Sequence, residues 1–358
     1  MQISTMLRGA FAAVAALSLA ACGINSVPTA EEEAKAKWAD VEAQFQRRAF
    51  HSKPQHRDNP EPMTTALPQP LRNTRVLSLA LNLPGPAALM RCARMGADCT
   101  KLEPPPAPGH PSADPMGIYS PAAYATLHSG VRVVHAHLKT AEGQAALHEE
   151  LTRTDVLITS FRPSALTKLG LSWEALQSKY PRLSLVRIVG AAAERAEEPG
   201  HDLTYLADAG LVTGTEMPPT LYADMGGALM ASEAVLQALL ERGHTGSGVC
   251  IEVALADAAA WLAQPRDWGL TTPEGDVGGN HAGYRIYPCA DGRVAVAALE
   301  PHFAASLCAA AGLPATGDPQ VLRAPATHAA VAAFLRTQTR AQLDALAVAQ
   351  DIPLHTLV

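Results

Sequence analysis

The sequence predicts an α/β fold with a parallel sheet and a smaller α+β domain after it. Short apolar runs of strand length alternate with helical segments over residues 71–262, which is the pattern of a parallel sheet covered by helices. A Gly-rich connection, 263–284, follows. Beyond it, two strand-like runs flank an Ala-Asp-Gly turn, which predicts a hairpin at the start of a second domain, 285–358. Helices are expected from there towards the end of the chain.

The strands of the large domain are predicted in order from these runs. The first, 75–80, leads through the Pro84-Gly85-Pro86 turn into a helix that ends near Gly96, and a second strand starts at Cys99. Together they form one βαβ unit. The next strands are predicted at 131–138, 155–158, 183–189 and 249–254. No Gly-rich turn here matches G-x-G-x-x-G or a Walker loop, so the residues indicate no nicotinamide or nucleoside-triphosphate site.

The composition excludes several classes of function. The formal net charge is −6 and no stripe of Lys and Arg alternates with aromatic residues, so we expect no nucleic-acid partner. The six cysteines are scattered, without a C-x-x-C pair or a Cys/His cluster. This spacing indicates neither a metal site nor a disulfide framework.

The first 70 residues have a different character. Residues 1–22 combine a basic tip, an apolar run and Leu-Ala-Ala-Cys, and they resemble a bacterial lipoprotein signal peptide in which Cys22 is lipidated. Residues 23–70 begin with a charged amphipathic helix pattern, similar to the start of a LemA-type lipoprotein, and continue as a Pro-rich linker. We expect contact with a membrane only through a lipidated Cys22.

Two carboxylates and a histidine bracket one short segment. His201 and Asp202 follow a Pro-Gly turn, and Asp224 stands just before the Gly226-Gly227 step. Histidine and aspartate are the residues most used to move protons in active sites. We therefore take this segment as the candidate site.

Several motifs, in order, resemble one family. They are LPGPAALMRCARMGADCTKLEPP, HLKTAEGQAAL, DVLITSFRPSALTKLGL, PGHDLTYLADAG, ADMGGALMASEAVLQALLERGHTGSGVCIEVAL and CADGRVAVAALEPHF. They are similar to class III CoA-transferases over residues 71–358, and most to the alpha-methylacyl-CoA racemase branch. The resemblance implies a Rossmann-like large domain, a small domain and an interlocked homodimer. It also implies an acyl-CoA substrate, no separate cofactor, and a site at the domain and subunit boundary.

The resemblance assigns roles to particular residues. His201, Asp224 and Glu300 fall on the catalytic positions of the racemase branch, and Asp202 falls on the aspartate nucleophile of the transferase branch. Four further residues are expected to contact CoA, namely Arg162, Lys101, Pro84 and Gly85. Cationic side chains and N–H groups at helix starts suit its phosphates.

Two chemistries and one inactive alternative follow from this set. In a racemase, His201 and Asp224 act as bases on opposite faces of the α carbon, Glu300 hydrogen-bonds the imidazole, and backbone N–H groups near Asp224 and Gly226 serve the enolate. In a transferase, Asp202 attacks the acyl-CoA and forms an anhydride and then an aspartyl thioester. The third alternative is an inactive or membrane-anchored binding protein. The acyl group stays open.

The two parts of the chain imply different compartments. A lipoprotein signal would carry the protein out of the cytoplasm, where acyl-CoA is made, and anchor it in a membrane. We therefore expect residues 1–48 to be foreign to the natural enzyme, which would start at Met63 and be cytoplasmic. Relative to the family, 213–220 and 263–280 look shortened and the C-terminal segment looks truncated, so weaker dimer closure is expected.

Overall fold

A computed structural model of the chain describes residues 68–110 and 112–358. The predicted signal peptide, the charged helix with almost all of its linker, and the start at Met63 lie outside these residues. No helix within the described part is long and apolar enough to cross a membrane.

Six strands form the parallel sheet that the alternating runs predict. In chain order they are β1 (Arg75–Ser78), β2 (Asp98–Glu103), β3 (Arg132–His135), β4 (Val156–Thr159), β5 (Ser184–Val189) and β6 (Cys250–Ala254). Their order across the sheet is β3-β2-β1-β4-β5-β6, and all neighbours are parallel. This is the doubly wound Rossmann order, in which the direction of winding reverses between β1 and β4. Ligands of such folds bind beyond the carboxyl ends of the strands at that reversal.

Helices connect these strands, and most of them cover the two faces of the sheet. They are α1 (Pro84–Arg94), α2 (Pro115–Tyr119), α3 (Pro121–Leu127), α4 (Ala141–Leu151), α5 (Pro163–Lys168), α6 (Trp173–Lys179), α7 (Asp202–Asp208), α8 (Tyr222–Thr245) and α9 (Leu255–Asp267). Successive residues of a strand point to opposite faces. Two apolar cores result, one containing Val76, Ile158 and Val186, and one containing Leu77, Leu157 and Leu185.

Helix α8 extends further towards its N-terminus than the sequence indicates. We predict a helix over 228–240, whereas α8 runs from Tyr222 to Thr245. Gly246 follows it with a φ of 76°, the left-handed conformation common after a helix. Small buried residues, including Ala228, Ala231 and Ala238, face the core. The early start puts Asp224 in the first turn of α8, where it is held rigidly.

A second sheet is antiparallel and holds β7 (Tyr284–Cys289), β8 (Gly292–Ala297) and β9 (Leu354–Leu357), in the order β7-β8-β9. The hairpin predicted around the Ala-Asp-Gly turn is confirmed by the pairing of Cys289 with Gly292. The helices expected in this domain are confirmed as α10 (Pro301–Ala310), α11 (Pro319–Leu322), α12 (Pro325–Arg336) and α13 (Arg340–Ala349). Strand β9, which follows them, was not predicted. The division into domains at 263–284 stays a prediction.

Candidate active site

A cavity of about 150 Å³ opens at the carboxyl end of the parallel sheet. Its wall includes Pro84 after β1, Arg162 after β4, Gly190 after β5, and Gly200 and Tyr205 around the start of α7. This is the point where the strand order reverses, which is where the fold class places ligands. Two of the residues singled out from the sequence, Pro84 and Arg162, therefore line a cavity at this place.

His201 and Asp202 stand at the start of α7, and their exposure differs. His201 is the exposed residue before the helix, and its N–H donates to Thr204 Oγ1 at 3.0 Å. Asp202 is the first helical residue and its side chain is buried, 5% exposed. The imidazole can thus meet a ligand or a solvent proton, while the carboxylate is held inside.

Asp202 and Asp224 are joined directly. Asp202 Oδ1 accepts the backbone N–H of Asp224 at 3.0 Å, so α7 is tied to the first turn of α8. Asp224 is itself only 8% exposed. Burial raises the pKa of Asp224 to about 6, the negative charge of Asp202 adds to this rise, and His201 opposes it. A carboxyl group with a pKa close to neutrality can both accept and return a proton under ordinary conditions.

One of the enolate donors expected near Asp224 and Gly226 is already used, because the Asp224 N–H is bound by Asp202. The other N–H groups at the start of α8 stay a prediction. The first two N–H groups of α7, at Asp202 and Leu203, have no acceptor among the described residues. Free N–H groups at a helix start carry the positive end of the helix dipole, so an anionic oxygen is favoured there.

Glu300 is far less involved in this arrangement than the sequence suggests. It lies just before α10, it is exposed, and its side chain makes no hydrogen bond to His201 within residues 68–110 and 112–358. The contact between Glu300 and the imidazole is therefore not made inside the described chain.

Lys101 has a structural role. Its side chain is fully buried in β2, where the ammonium pairs with Asp114 and lies 3.1 Å from Glu103. Asp114 also accepts the N–H groups of Met116 and Asn82, so the ion pair holds the segment after β2 against the sheet. This burial contradicts the predicted contact between Lys101 and the phosphates of CoA.

The two residues predicted around the Pro-Gly-Pro turn have different surroundings. Pro84 lines the cavity. A Cβ on Gly85 would stand 2.1 Å from the Cβ of Ala80. Gly85 therefore permits the close approach of α1 to the end of β1, which is a packing requirement.

A second, apolar groove of about 550 Å³ lies beyond β2, β3 and β4. Leu138 and Phe161 contribute to its wall, and two exposed lysines, Lys139 and Lys168, stand at it. Together with the exposed Arg162, they place three cationic side chains along this edge of the sheet. The sequence reasoning missed both lysines, although Lys139 lies within the quoted motif HLKTAEGQAAL.

Comparisons with known proteins agree with this architecture. Residues 71–357 match the model of CoA-transferase family III. The chain is 31% identical over 261 residues to alpha-methylacyl-CoA racemase from Mus musculus, covering 68% of the chain and 65% of that protein. It is 29% identical over 227 residues to cinnamoyl-CoA:phenyllactate CoA-transferase from Clostridium sporogenes, covering 56% of the chain and 54% of that protein.

A solved structure of a CAIB/BAIF family protein from Brucella suis aligns with a TM-score of 0.66 at 25% identity, covering 81% of the chain and 84% of that one. The chain spans less than two thirds of the length of the two curated relatives. Racemases and transferases are thus matched almost equally well.

Proposed function

The chain belongs to CoA-transferase family III, and from that premise we propose that it inverts the α carbon of a 2-methylacyl-CoA thioester by proton transfer between His201 and Asp224. The observation that carries this proposal is Asp224, which is buried, has a pKa of about 6 and lies within the electrostatic reach of His201. A transferase that uses Asp202 as nucleophile has no need of a second base with such a pKa.

A two-base mechanism requires two groups that can each accept and return a proton. Inversion needs one base to remove the α proton while an acid on the other face delivers one. With a pKa of about 6, roughly nine in ten Asp224 side chains are ionised at pH 7. His201 lies within the electrostatic reach of this carboxylate, and an imidazole can accept or donate a proton, so either group can begin as the base.

The enolate oxygen needs its own stabilisation. The N–H groups of Asp202 and Leu203 at the start of α7 have no acceptor within the described residues, and they follow His201 directly in the chain. Donors fixed before the reaction stabilise a developing negative charge without reorganisation.

The long CoA chain would run from this point along the edge of the sheet. The narrow cavity between Pro84 and Arg162 suits the acyl-pantetheine arm. The wider groove suits the adenosine end, with Phe161 and Leu138 against the base and Lys139 and Lys168 near the phosphates. Cationic side chains bind phosphates by charge-assisted hydrogen bonds.

Glu300 would reach His201 from a second copy of the chain. It is exposed and makes no hydrogen bond to His201 among the described residues, and the family resemblance implies a dimer with the site at the subunit boundary. Mixing two inactive variants tests this. His201→Ala and Glu300→Ala subunits, unfolded and refolded together, should regain part of the activity, whereas either variant alone should not. A mixture as inactive as its components would contradict the shared site.

CoA transfer through Asp202 is the second candidate. One observation favours it: Asp202 Oδ1 holds the Asp224 amide, while no hydrogen bond to Oδ2 is found within the described residues, so one oxygen is available to attack a thioester. Both candidates make the chain an acyl-CoA enzyme. They differ in the bond that breaks.

One experiment separates the two candidates. The purified protein is incubated in heavy water with a 2-methylacyl-CoA, and deuterium at the α carbon is followed by mass spectrometry. Racemase chemistry predicts exchange that falls in Asp224→Asn and persists in Asp202→Asn. Transferase chemistry predicts no exchange, but CoA transfer to an added carboxylate that is lost in Asp202→Asn. If the folded protein shows neither exchange nor CoA transfer, both candidates are rejected.

A further inference from the structure

Tyr205 lines the candidate site, and the proposed proton transfer gives it no role. It lies on α7, one turn after His201, and its half-buried ring lines the same cavity as Arg162. The hydroxyl oxygen is closely surrounded by backbone. A Cβ on Gly190 would stand 2.2 Å from it, and a Cβ on Gly200 would stand 2.5 Å from it. Glycine at these two positions therefore makes the space that the hydroxyl fills.

The Tyr205 hydroxyl has no hydrogen-bond partner among the described residues. Two other tyrosines withdrawn from solvent are satisfied inside the protein: Tyr124 donates to Glu103 at 3.2 Å, and Tyr287 donates to the carbonyl of Ala282 at 2.8 Å. A phenol placed against two glycines and left without a protein partner is an available donor in the wall of the cavity.

The charges around Tyr205 keep that donor protonated. Burial raises the pKa of its hydroxyl, the carboxylate of Asp224 adds to the rise, and Arg162 opposes it. The hydroxyl thus lies within the electrostatic reach of both Asp224 and Arg162, and Arg162 lines the same cavity.

We propose that Tyr205 donates its hydroxyl hydrogen to a carbonyl oxygen of the acyl-pantetheine arm and so fixes the arm between Arg162 and Asp224. This rests on the proposed function as an acyl-CoA enzyme and holds for the racemase and the transferase alike. The arm offers acceptors of the right kind, two amide carbonyls and the thioester carbonyl. A phosphate is a poorer fit, because Pro84 and Leu255 give the cavity an apolar wall and the lysines lie at the other groove.

Binding measurements on Tyr205→Phe test the proposal, because this change removes one oxygen atom and no hydrogen bond within the described residues. Free CoA and a 2-methylacyl-CoA are titrated into the full chain by calorimetry, for wild type, Tyr205→Phe and the matched control Tyr180→Phe. Tyr180 shares a hydrogen bond with His148, away from the cavity. We expect roughly two- to tenfold weaker binding in Tyr205→Phe, the loss that fits one neutral hydrogen bond, and no change in Tyr180→Phe.

The pattern of the loss identifies the acceptor. Equal weakening for CoA and the acyl-CoA places the hydroxyl on a pantetheine amide, whereas weakening for the acyl-CoA alone places it on the thioester carbonyl. Either result supports the proposal.

Unchanged binding of both ligands in Tyr205→Phe would overturn the proposal and leave the proposed function standing. A melting temperature lowered by many degrees in Tyr205→Phe would also overturn it, since the hydroxyl would then have a partner within the protein. If the wild-type chain bound neither ligand, the result would contradict the proposed function, and with it the role of Tyr205.

Discussion

Asp224→Asn should stabilise the protein at neutral pH while it abolishes racemisation. The side chain is 8% exposed, and its pKa is raised from 3.8 to about 6 by burial and by Asp202. A raised pKa means that the folded state binds the proton more tightly than the unfolded chain does. The favourable contribution is therefore complete below about pH 4 and is lost as the pH rises through about 6.

The size of the effect follows from the same two values. A difference of 2.2, from 6 minus 3.8, corresponds to about 3 kcal/mol at roughly 1.4 kcal/mol for each pKa unit. A neutral asparagine of the same shape avoids this cost and keeps the backbone N–H on Asp202. Asp224→Asn should thus gain up to about 3 kcal/mol over wild type at pH 7.5 and almost nothing at pH 4.

Urea unfolding followed by circular dichroism, at both pH values, measures this difference. The control is Asp267→Asn, which removes an exposed carboxylate at the end of α9 and should change stability equally little at both pH values. Loss of stability in Asp224→Asn at pH 7.5, or an equal gain at pH 4 and pH 7.5, would refute the description of Asp224 as a strained, buried carboxylate.

Further variants separate structure from binding. Lys101→Met should cost about 3–5 kcal/mol in urea unfolding, because Glu103 and Asp114 lose their buried counter-charge; a stable variant with weakened CoA binding would reverse this assignment. Arg162→Ala should leave stability nearly unchanged and weaken CoA binding in calorimetry by about tenfold, the usual effect of one charge-assisted hydrogen bond; unchanged affinity would remove Arg162 from the site. Gly190→Ala should lower the melting temperature by several degrees, since the new Cβ would stand 2.2 Å from the Tyr205 hydroxyl oxygen and 3.1 Å from the ring carbon that bears it. Tyr205→Phe should restore part of that loss, and a double variant no more stable than Gly190→Ala would contradict the geometry.

Much of the fold could be predicted because its signals are local. The buried strands are apolar runs between helical segments, and the hairpin of β7 and β8 is marked by its own turn. Strand β9 was not predicted because it is four residues long and is stabilised by pairing with β8, whose residues lie 58 to 64 positions earlier in the chain. Nothing within so short a segment distinguishes a strand from an irregular end.

Some features of the candidate site have local sequence signals, whereas others depend on tertiary contacts. His201, Asp202 and Asp224 were singled out because they flank turns within one segment, and the structure brings the two aspartates into contact. The burial of Lys101 could not be predicted, since it depends on Asp114 folding back over the end of β2. The space for the Tyr205 hydroxyl depends on Gly190 and Gly200, at opposite ends of the connection between β5 and α7. Such fits are tertiary, and no local pattern encodes them.

In the proposed mechanism, His201 and Asp224 transfer protons on opposite faces of the α carbon. The most direct test starts from each pure enantiomer of a 2-methylacyl-CoA in heavy water and follows deuterium uptake by His201→Ala and Asp224→Asn. Each variant keeps one base, so each should exchange the α proton of one enantiomer only, and the two variants should spare opposite enantiomers. If both variants exchange the same enantiomer, or both exchange the two enantiomers equally, the two-base arrangement is wrong.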